Sequence, residues 1–194
     1  MQFNGLRVLW EGLTGHRGWK PLWRDPEPQP EYDFIVVGGG GHGLATAYYL
    51  ANTFGEARVA VLEKGWLGSG NIGRNTTIIR SNYLLPGNQP FYEFSMKLWE
   101  GLEQEFNFNA MVSQRGILNL CHSDGQRDAF RRRGNAMLLS GADAELLGAE
   151  AVRSMYPFLN FDNARFPIKG GLLQRRAGTA RHDGVAWGYA RGAD

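Results

Sequence analysis

The chain has 194 residues, 43% of them hydrophobic and 21% charged, with a formal net charge of +2. This balance fits one soluble globular domain with part of a second and gives no reason to expect nucleic acid or a membrane as partner. No apolar run reaches the length of a membrane span and the N-terminus lacks the pattern of a secretory or mitochondrial leader, so the cytoplasm is the expected compartment.

In chain order, residues 1–31 form an arm carrying Trp10, Trp19 and Trp23 and ending in the stiff segment DPEPQPEY. Three indoles in a polar stretch point to an arm that docks, on this subunit or on a neighbour. Residues 32–85 open with the short apolar run Phe34 to Val37, suited to a central parallel strand. Four glycines follow, and Gly38, Gly40 and Gly43 take the three fixed positions of GxGxxG. The first permits a tight turn, the second a close approach of amides to a pyrophosphate, and the third close packing of helix on strand.

Helix formers from Leu44 to Ala51 place Leu44, Ala47, Tyr48 and Ala51 on one face. A second strand, Arg58 to Leu62, ends at Glu63, where a carboxylate can accept both hydroxyls of an adenosine ribose. Strand, glycines, helix, strand and terminal acid in that order predict a dinucleotide site. A carboxylate at Glu63 would repel the extra phosphate of NADP, which leaves FAD or NAD.

The glycine-rich stretch after Glu63 reads as a loop that leads into a short extended segment. Residues 86–170 begin with Phe91, Ser95, Leu98, Trp99, Leu102 and Phe106 at helical spacing, a helix from Gln89 to Glu105 whose apolar stripe reads as core. Met111 to Ser113 and Gly116 to Cys121 read as strands, Asp124 to Leu139 as a helix and Ala144 to Met155 as another. Arg131, Arg132 and Arg133 read as the solvated face of their helix.

The single cysteine, Cys121, sits within ILNLC and reads as a buried strand residue, not a nucleophile. No metal site is expected. In residues 171–194, Gly171 to Gln174 reads as a strand, and Asp183 as the cap of a helix from Gly184 towards Arg191.

The stretches IVVGGGGHGLATAYYLA, VAVLEKGWLGSGNIGRNTTIIRSNY, SQRGILNL and RRAGTARHDGVAWGYARGAD resemble the β subunits of heterotetrameric sarcosine oxidase along the whole chain. More distantly the pattern is similar to amine-oxidising flavoproteins such as monomeric sarcosine oxidase, glycine oxidase and dimethylglycine dehydrogenase. The resemblance implies an α/β fold: an FAD-binding, Rossmann-like doubly wound sheet, here incomplete, with part of a substrate-binding α+β domain.

It further implies that Gly38, Gly40, Gly41, His42 and Gly43 surround the FAD pyrophosphate, with Glu63 on the ribose and Lys64 beside it. Asn71, Arg74, Asn75, Thr76, Thr77 and Ile79 would line the rest of the FAD cleft. Arg80 matches the arginine that clamps the substrate carboxylate, a task suited to a bidentate guanidinium. His182 matches the histidine joined covalently to FMN. Thr77 stands where some monomeric relatives carry an arginine, and Gly184 where some relatives carry a second histidine.

The implied activity is oxidation of the N-methyl group of sarcosine, with electrons passing from FAD to FMN to oxygen and giving hydrogen peroxide. The implied partners are α, γ and δ subunits, one of them holding tetrahydrofolate. The family's β subunits are longer than this chain, so the chain alone is expected to be a poor or inactive enzyme. Two other readings stay open at this point: a non-catalytic fragment that retains FAD or subunit binding, and an NAD-dependent dehydrogenase sharing only the glycine fingerprint.

Overall fold

A computed structural model describes residues 5–18, 27–83 and 85–194. Trp19 and Trp23 of the arm lie outside the described residues. Within the arm, α1 (Gly5–Leu13) leaves Leu6, Leu9, Trp10 and Leu13 exposed and buries Glu11, whose Oε2 accepts the Gly18 amide at 3.1 Å.

Strands β1 (Phe34–Val37) and β2 (Val59–Leu62) pair in parallel, with Phe34 opposite Val59 and Val37 opposite Leu62. Asp33 ties their starts together. Its Oδ2 accepts the Arg58 amide at 2.8 Å, and its two carboxylate oxygens accept from the Arg58 guanidinium at 3.3 Å each. The crossover helix α2 (Gly41–Thr53) buries Leu44, Ala47 and Tyr48, as their spacing requires.

The helix begins at Gly41, three residues earlier than helix formers alone suggest. The intrinsic cost of glycine in a helix, about 1 kcal/mol, is outweighed there by an approach that no other residue allows. A Cβ on Gly43 would lie 1.9 Å from the carbonyl oxygen of Gly38.

A 3-10 turn at Asn71–Arg74 precedes β3 (Ile78–Ile79), which pairs antiparallel with β7 (Gly178–Thr179). Residues 111–113 correct the sequence reading, since only Ser113 pairs, through an isolated bridge to Thr179. Met111 has φ 54°, outside the strand region, and its amide bonds instead to Asn109 Oδ1 at 2.8 Å.

Helix α3 (Gln89–Phe106) runs one residue past its expected end. Beyond it, β4 (Ile117–Cys121), β6 (Gly170–Gln174) and β5 (Glu145–Gly148) form an antiparallel sheet in the order β4-β6-β5. All five residues of β6 are buried. Leu172 packs with Met137 and Ala142, while Leu173 packs with Leu147 and Val152, the two-sided burial that a period of two produces.

Helix α4 (Asp124–Leu139) matches its sequence bounds and is capped by Ser123, whose hydroxyl accepts the Gln126 amide at 3.2 Å. Cys121 is fully buried, and burial raises its thiol pKa. The expected helix over 144–155 splits, because Glu145–Gly148 pairs with β6 and only α5 (Ala149–Met155) is helical. Edge pairing with a buried central strand satisfies backbone groups that a helix there would leave β6 without.

The last helix, α6 (His182–Ala193), starts two residues before the sequence reading places it. Asp183 is therefore in its first turn and does not cap it. Its Oδ1 accepts the Gly184 amide at 2.9 Å, while the carboxylate holds Arg181 at 2.8 and 3.0 Å. Helix α6 packs on α2 and joins Ile79, Met96, Leu102, Ala110 and Ala180 in one core through Val185.

Candidate functional site

The site is built where β1 stops. Gly38 has φ +108°, which side-chain-bearing residues rarely adopt, and the carbonyl it turns inward is the one that Gly43 approaches. Gly40 is the N-cap of α2, so the first-turn amides of that helix have no intrahelical acceptor and face the turn with a partial positive charge. Such an end suits an anionic phosphate.

Glu63 closes the other side of the turn. Its Oε1 accepts the Gly65 amide at 2.8 Å and its Oε2 the Gly39 amide at 2.7 Å. These two bonds, Gly65 first, hold the carboxyl below its ordinary pKa and keep it ionised. The Ser69 hydroxyl also bears on the carboxylate, which still has acceptor capacity left for a further hydroxyl donor. The Gly39 contact is a feature that the fingerprint positions alone do not mark.

A cavity of about 620 Å³ opens in front of the turn. Gly38, Gly40, Gly41, His42 and Gly43 line it on one side, and Asn71, Asn75, Thr76, Thr77 and Ile79 on another. Asn75 braces its own loop, with Nδ2 donating to the Ile72 carbonyl at 2.9 Å and Oδ1 accepting the Thr77 amide at 2.7 Å. Thr77 thereby sits at φ 59°.

His182, at the start of α6, lines the same cavity. Its Nδ1 is buried and has no hydrogen-bond partner among the described residues. Glu63, Lys64, Arg74 and Arg80 are not among the lining residues, and Lys64 and Arg74 are exposed.

The far wall comes from residues that sequence reasoning assigned elsewhere. Ser95, Leu98 and Trp99 of α3 and Tyr189 of α6 face the cavity, so the predicted α3 stripe is divided between core (Leu102, with Phe106 packed beside it) and cavity wall, with Leu102 touching both; Phe91, read as core, is exposed, and Met96, outside the stripe, is buried in that core. Tyr189 lies three to four residues beyond Val185 and Ala186, a spacing that would have placed it on the buried face of its helix.

Arg80 stands one residue past β3, with its guanidinium 5.4 Å from the centroid of the Tyr83 ring. That ring stacks on Tyr92 at 3.8 Å and 18°. Among the described residues Arg80 has no carboxylate partner, so it is not part of a surface ion pair. Arg133 departs from the solvated face expected for it. It reaches from α4 to the Asn82 carbonyl, donating from Nε at 3.0 Å and also from Nη2. Met137, four residues on and buried, was the signal that this side of the helix faces inward.

The residues present fit a dinucleotide. The turn has no room for side chains at Gly43, the helix end offers unpaired amides, and the acid at the β2 terminus is held charged. A family model described as FAD dependent oxidoreductase matches residues 33–194. Sarcosine oxidase subunit beta of Rhizobium meliloti (strain 1021) is 75% identical over all 194 residues, which cover 47% of that protein. The protein of the same name from Rhodobacter capsulatus is 50% identical over 98% of this chain and 46% of its own length.

Among solved structures, L-proline dehydrogenase from P. horikoshii superposes with a TM-score of 0.75 at 25% identity, over 84% of this chain and 41% of that one. The chain thus spans about half the length of the curated relatives it matches. No helix among the described residues is long and apolar enough to cross a membrane. The match across the glycine turn, the cavity and α6 also favours FAD over NAD as the dinucleotide, and the chain belongs to the FAD dependent oxidoreductase family.

Proposed function

We propose that the chain is a sarcosine oxidase β subunit and serves flavin-dependent oxidation of the N-methyl group of sarcosine. The observation that carries this reading is the single cavity uniting the glycine turn, the Asn71 to Ile79 segment and His182, taken with 75% identity to a sarcosine oxidase subunit beta. In this reading Gly38, Gly40, Gly41, His42 and Gly43 cradle the FAD pyrophosphate with backbone amides. Glu63 accepts the ribose hydroxyls through the acceptor capacity it has left, and Lys64 adds positive charge beside it.

Asn71, Arg74, Asn75, Thr76, Thr77 and Ile79 shape the remainder of the FAD cleft. Arg80 holds the substrate carboxylate in a bidentate fork, which orients the methylamino group and lowers the entropic part of the barrier. His182 is the attachment point for FMN; with Nδ1 enclosed, Nε2 is the ring nitrogen left to form the link. When bound, the flavins supply a two-electron acceptor for the substrate and a relay from FAD through FMN to oxygen, with hydrogen peroxide as product. Glycine and a one-carbon unit passed to tetrahydrofolate on another subunit complete the reaction, in a cytoplasmic assembly with α, γ and δ partners.

The test is made on the assembled protein. Yellow fluorescence that stays with the acid-precipitated chain and disappears in His182→Ala is the expected result, together with sarcosine-dependent oxygen uptake. Fluorescence that persists in the variant would refute the attachment site. Flavin-loaded protein that consumes no oxygen with sarcosine would refute the substrate.

A further inference from the structure

Residues 80–83 concentrate unpaired polar groups to an unusual degree. The Asn82 side chain is fully buried, and among the described residues both Oδ1 and Nδ2 lack partners, a cost that folded proteins rarely carry without a use. Arg133 is brought to this segment by two donations to the Asn82 carbonyl. Arg80 lies against Tyr83, whose ring is fixed by its stack on Tyr92.

Among the described residues neither arginine has a carboxylate partner, although acids stand on neighbouring elements. Glu93 and Glu100 are taken by Arg176, at 2.8 and 2.9 Å. Asp143 is taken by the Gln174 side chain and the Arg176 amide, at 3.2 and 2.8 Å. Burial first, and then the charge of Arg80, lowers the pKa of Arg133 from the usual arginine value. Both guanidiniums meet the same short segment, Arg133 at the Asn82 carbonyl and Arg80 against the Tyr83 ring, and with no carboxylate among the described residues to neutralise them they are held at an electrostatic cost that an anion there would offset.

We propose that Arg133 and Arg80 together form the seat of the substrate carboxylate, with Arg133 a second binding residue aimed by the Asn82 carbonyl and the Tyr83 ring as the seat's apolar wall. The inference rests on the reading of Arg80 as the carboxylate clamp. Arg133 spends Nε and one Nη2 hydrogen on the carbonyl and keeps Nη1 and the other Nη2 hydrogen. Arg80 keeps its whole fork. That donor set matches the two oxygens of a planar carboxylate.

The experiment titrates the flavin-loaded assembly with acetate, followed by the visible flavin spectrum, in wild type, Arg80→Met, Arg133→Met, Arg133→Lys and Arg132→Met. Loss of a charge-assisted hydrogen bond predicts an acetate Kd raised about tenfold in Arg133→Met. Arg133→Lys should fall between that variant and wild type. Arg132→Met, which removes the same charge from an exposed position of α4, should bind as wild type.

If Arg80→Met weakens acetate while both Arg133 variants bind like wild type, the inference about Arg133 is overturned and the clamp reading stands. If Arg80→Met binds acetate like wild type, the clamp reading fails and this inference with it. Equal weakening in Arg132→Met and Arg133→Met would reduce the effect to net charge and overturn the seat. Should Arg133→Met not assemble, Arg133→Lys decides alone, and unchanged binding in it overturns the inference.

Discussion

The parallel pair β1 and β2 and the antiparallel sheet β4-β6-β5 treat apolar surface in opposite ways. In the first, Ile35, Val37 and Leu62 are 59%, 83% and 56% exposed. In the second, the central strand is buried along its whole length, with Leu172 and Leu173 packed into separate clusters on its two faces. The antiparallel sheet holds its own core, whereas the nucleotide turn is shaped by local polar ties. Asp33 with Arg58 fixes the start of the strands, and Glu63 with Gly39 and Gly65 fixes their end. Stability and site geometry are thus set in different parts of the chain, and they can be perturbed separately.

The strongest challenge to that division is Leu172→Ala, at a side chain 1% exposed. It should cost about 2–5 kcal/mol of stability in denaturant unfolding of the flavin-loaded assembly. A cost no larger than that of a surface change would mean that the antiparallel sheet is not the main source of stability.

Next comes Gln174, a buried residue of β6 that ties the antiparallel sheet to the segment just after β3. Its Oε1 accepts the Ser81 amide at 3.1 Å, and its Nε2 donates to Ser81 Oγ at 2.7 Å and to Asp143 at 3.2 Å. Ser81 in turn donates to Glu93. Gln174→Leu keeps the volume but leaves the Ser81 amide unpaired, so a loss of about 1–3 kcal/mol is expected. Gln174→Glu, whose buried carboxylate would face Asp143 where the Nε2 donor stood, should lose more than Gln174→Leu. A loss in Gln174→Leu no larger than about 0.5 kcal/mol would show that packing, not hydrogen bonding, is what the residue supplies.

The smallest effect is expected at Ile35→Thr on the open face of β1, within about 0.5 kcal/mol when measured on this chain. A larger loss would mean that the open face is covered in the protein as measured, which would sharpen the contrast into one between a sheet that closes itself and one that another surface closes.

Much of the nucleotide half was legible in the sequence. Phe34–Val37, the glycines, the buried face of α2 and the acid at Glu63 each follow from sterics or periodicity acting over one or two turns of chain. The helices α3 and α4 were legible for the same reason. The strand at Glu145–Gly148 was not, because ELLG fits a helix or a strand equally and the choice was made by the free edge of β6. Met111 was read as strand from its neighbours, yet Asn109 and Glu103 side chains capture the amides of Met111 and Val112 and divert the backbone.

The sequence by itself determined a GxGxxG turn whose last glycine has no space for a side chain, a carboxylate placed at the end of the second strand, and the helical and strand periodicities that bury each element. These depend on contacts between near neighbours, whose geometry the chain carries locally. Tertiary structure alone decided that His182 shares a cavity with Gly43, that Leu98 and Trp99 serve as wall as well as stripe, and that Arg133 turns from solvent towards Asn82. Such outcomes depend on which distant surface each element packs against, and an unpaired carbonyl or an open strand edge becomes a partner only once the fold has brought it near.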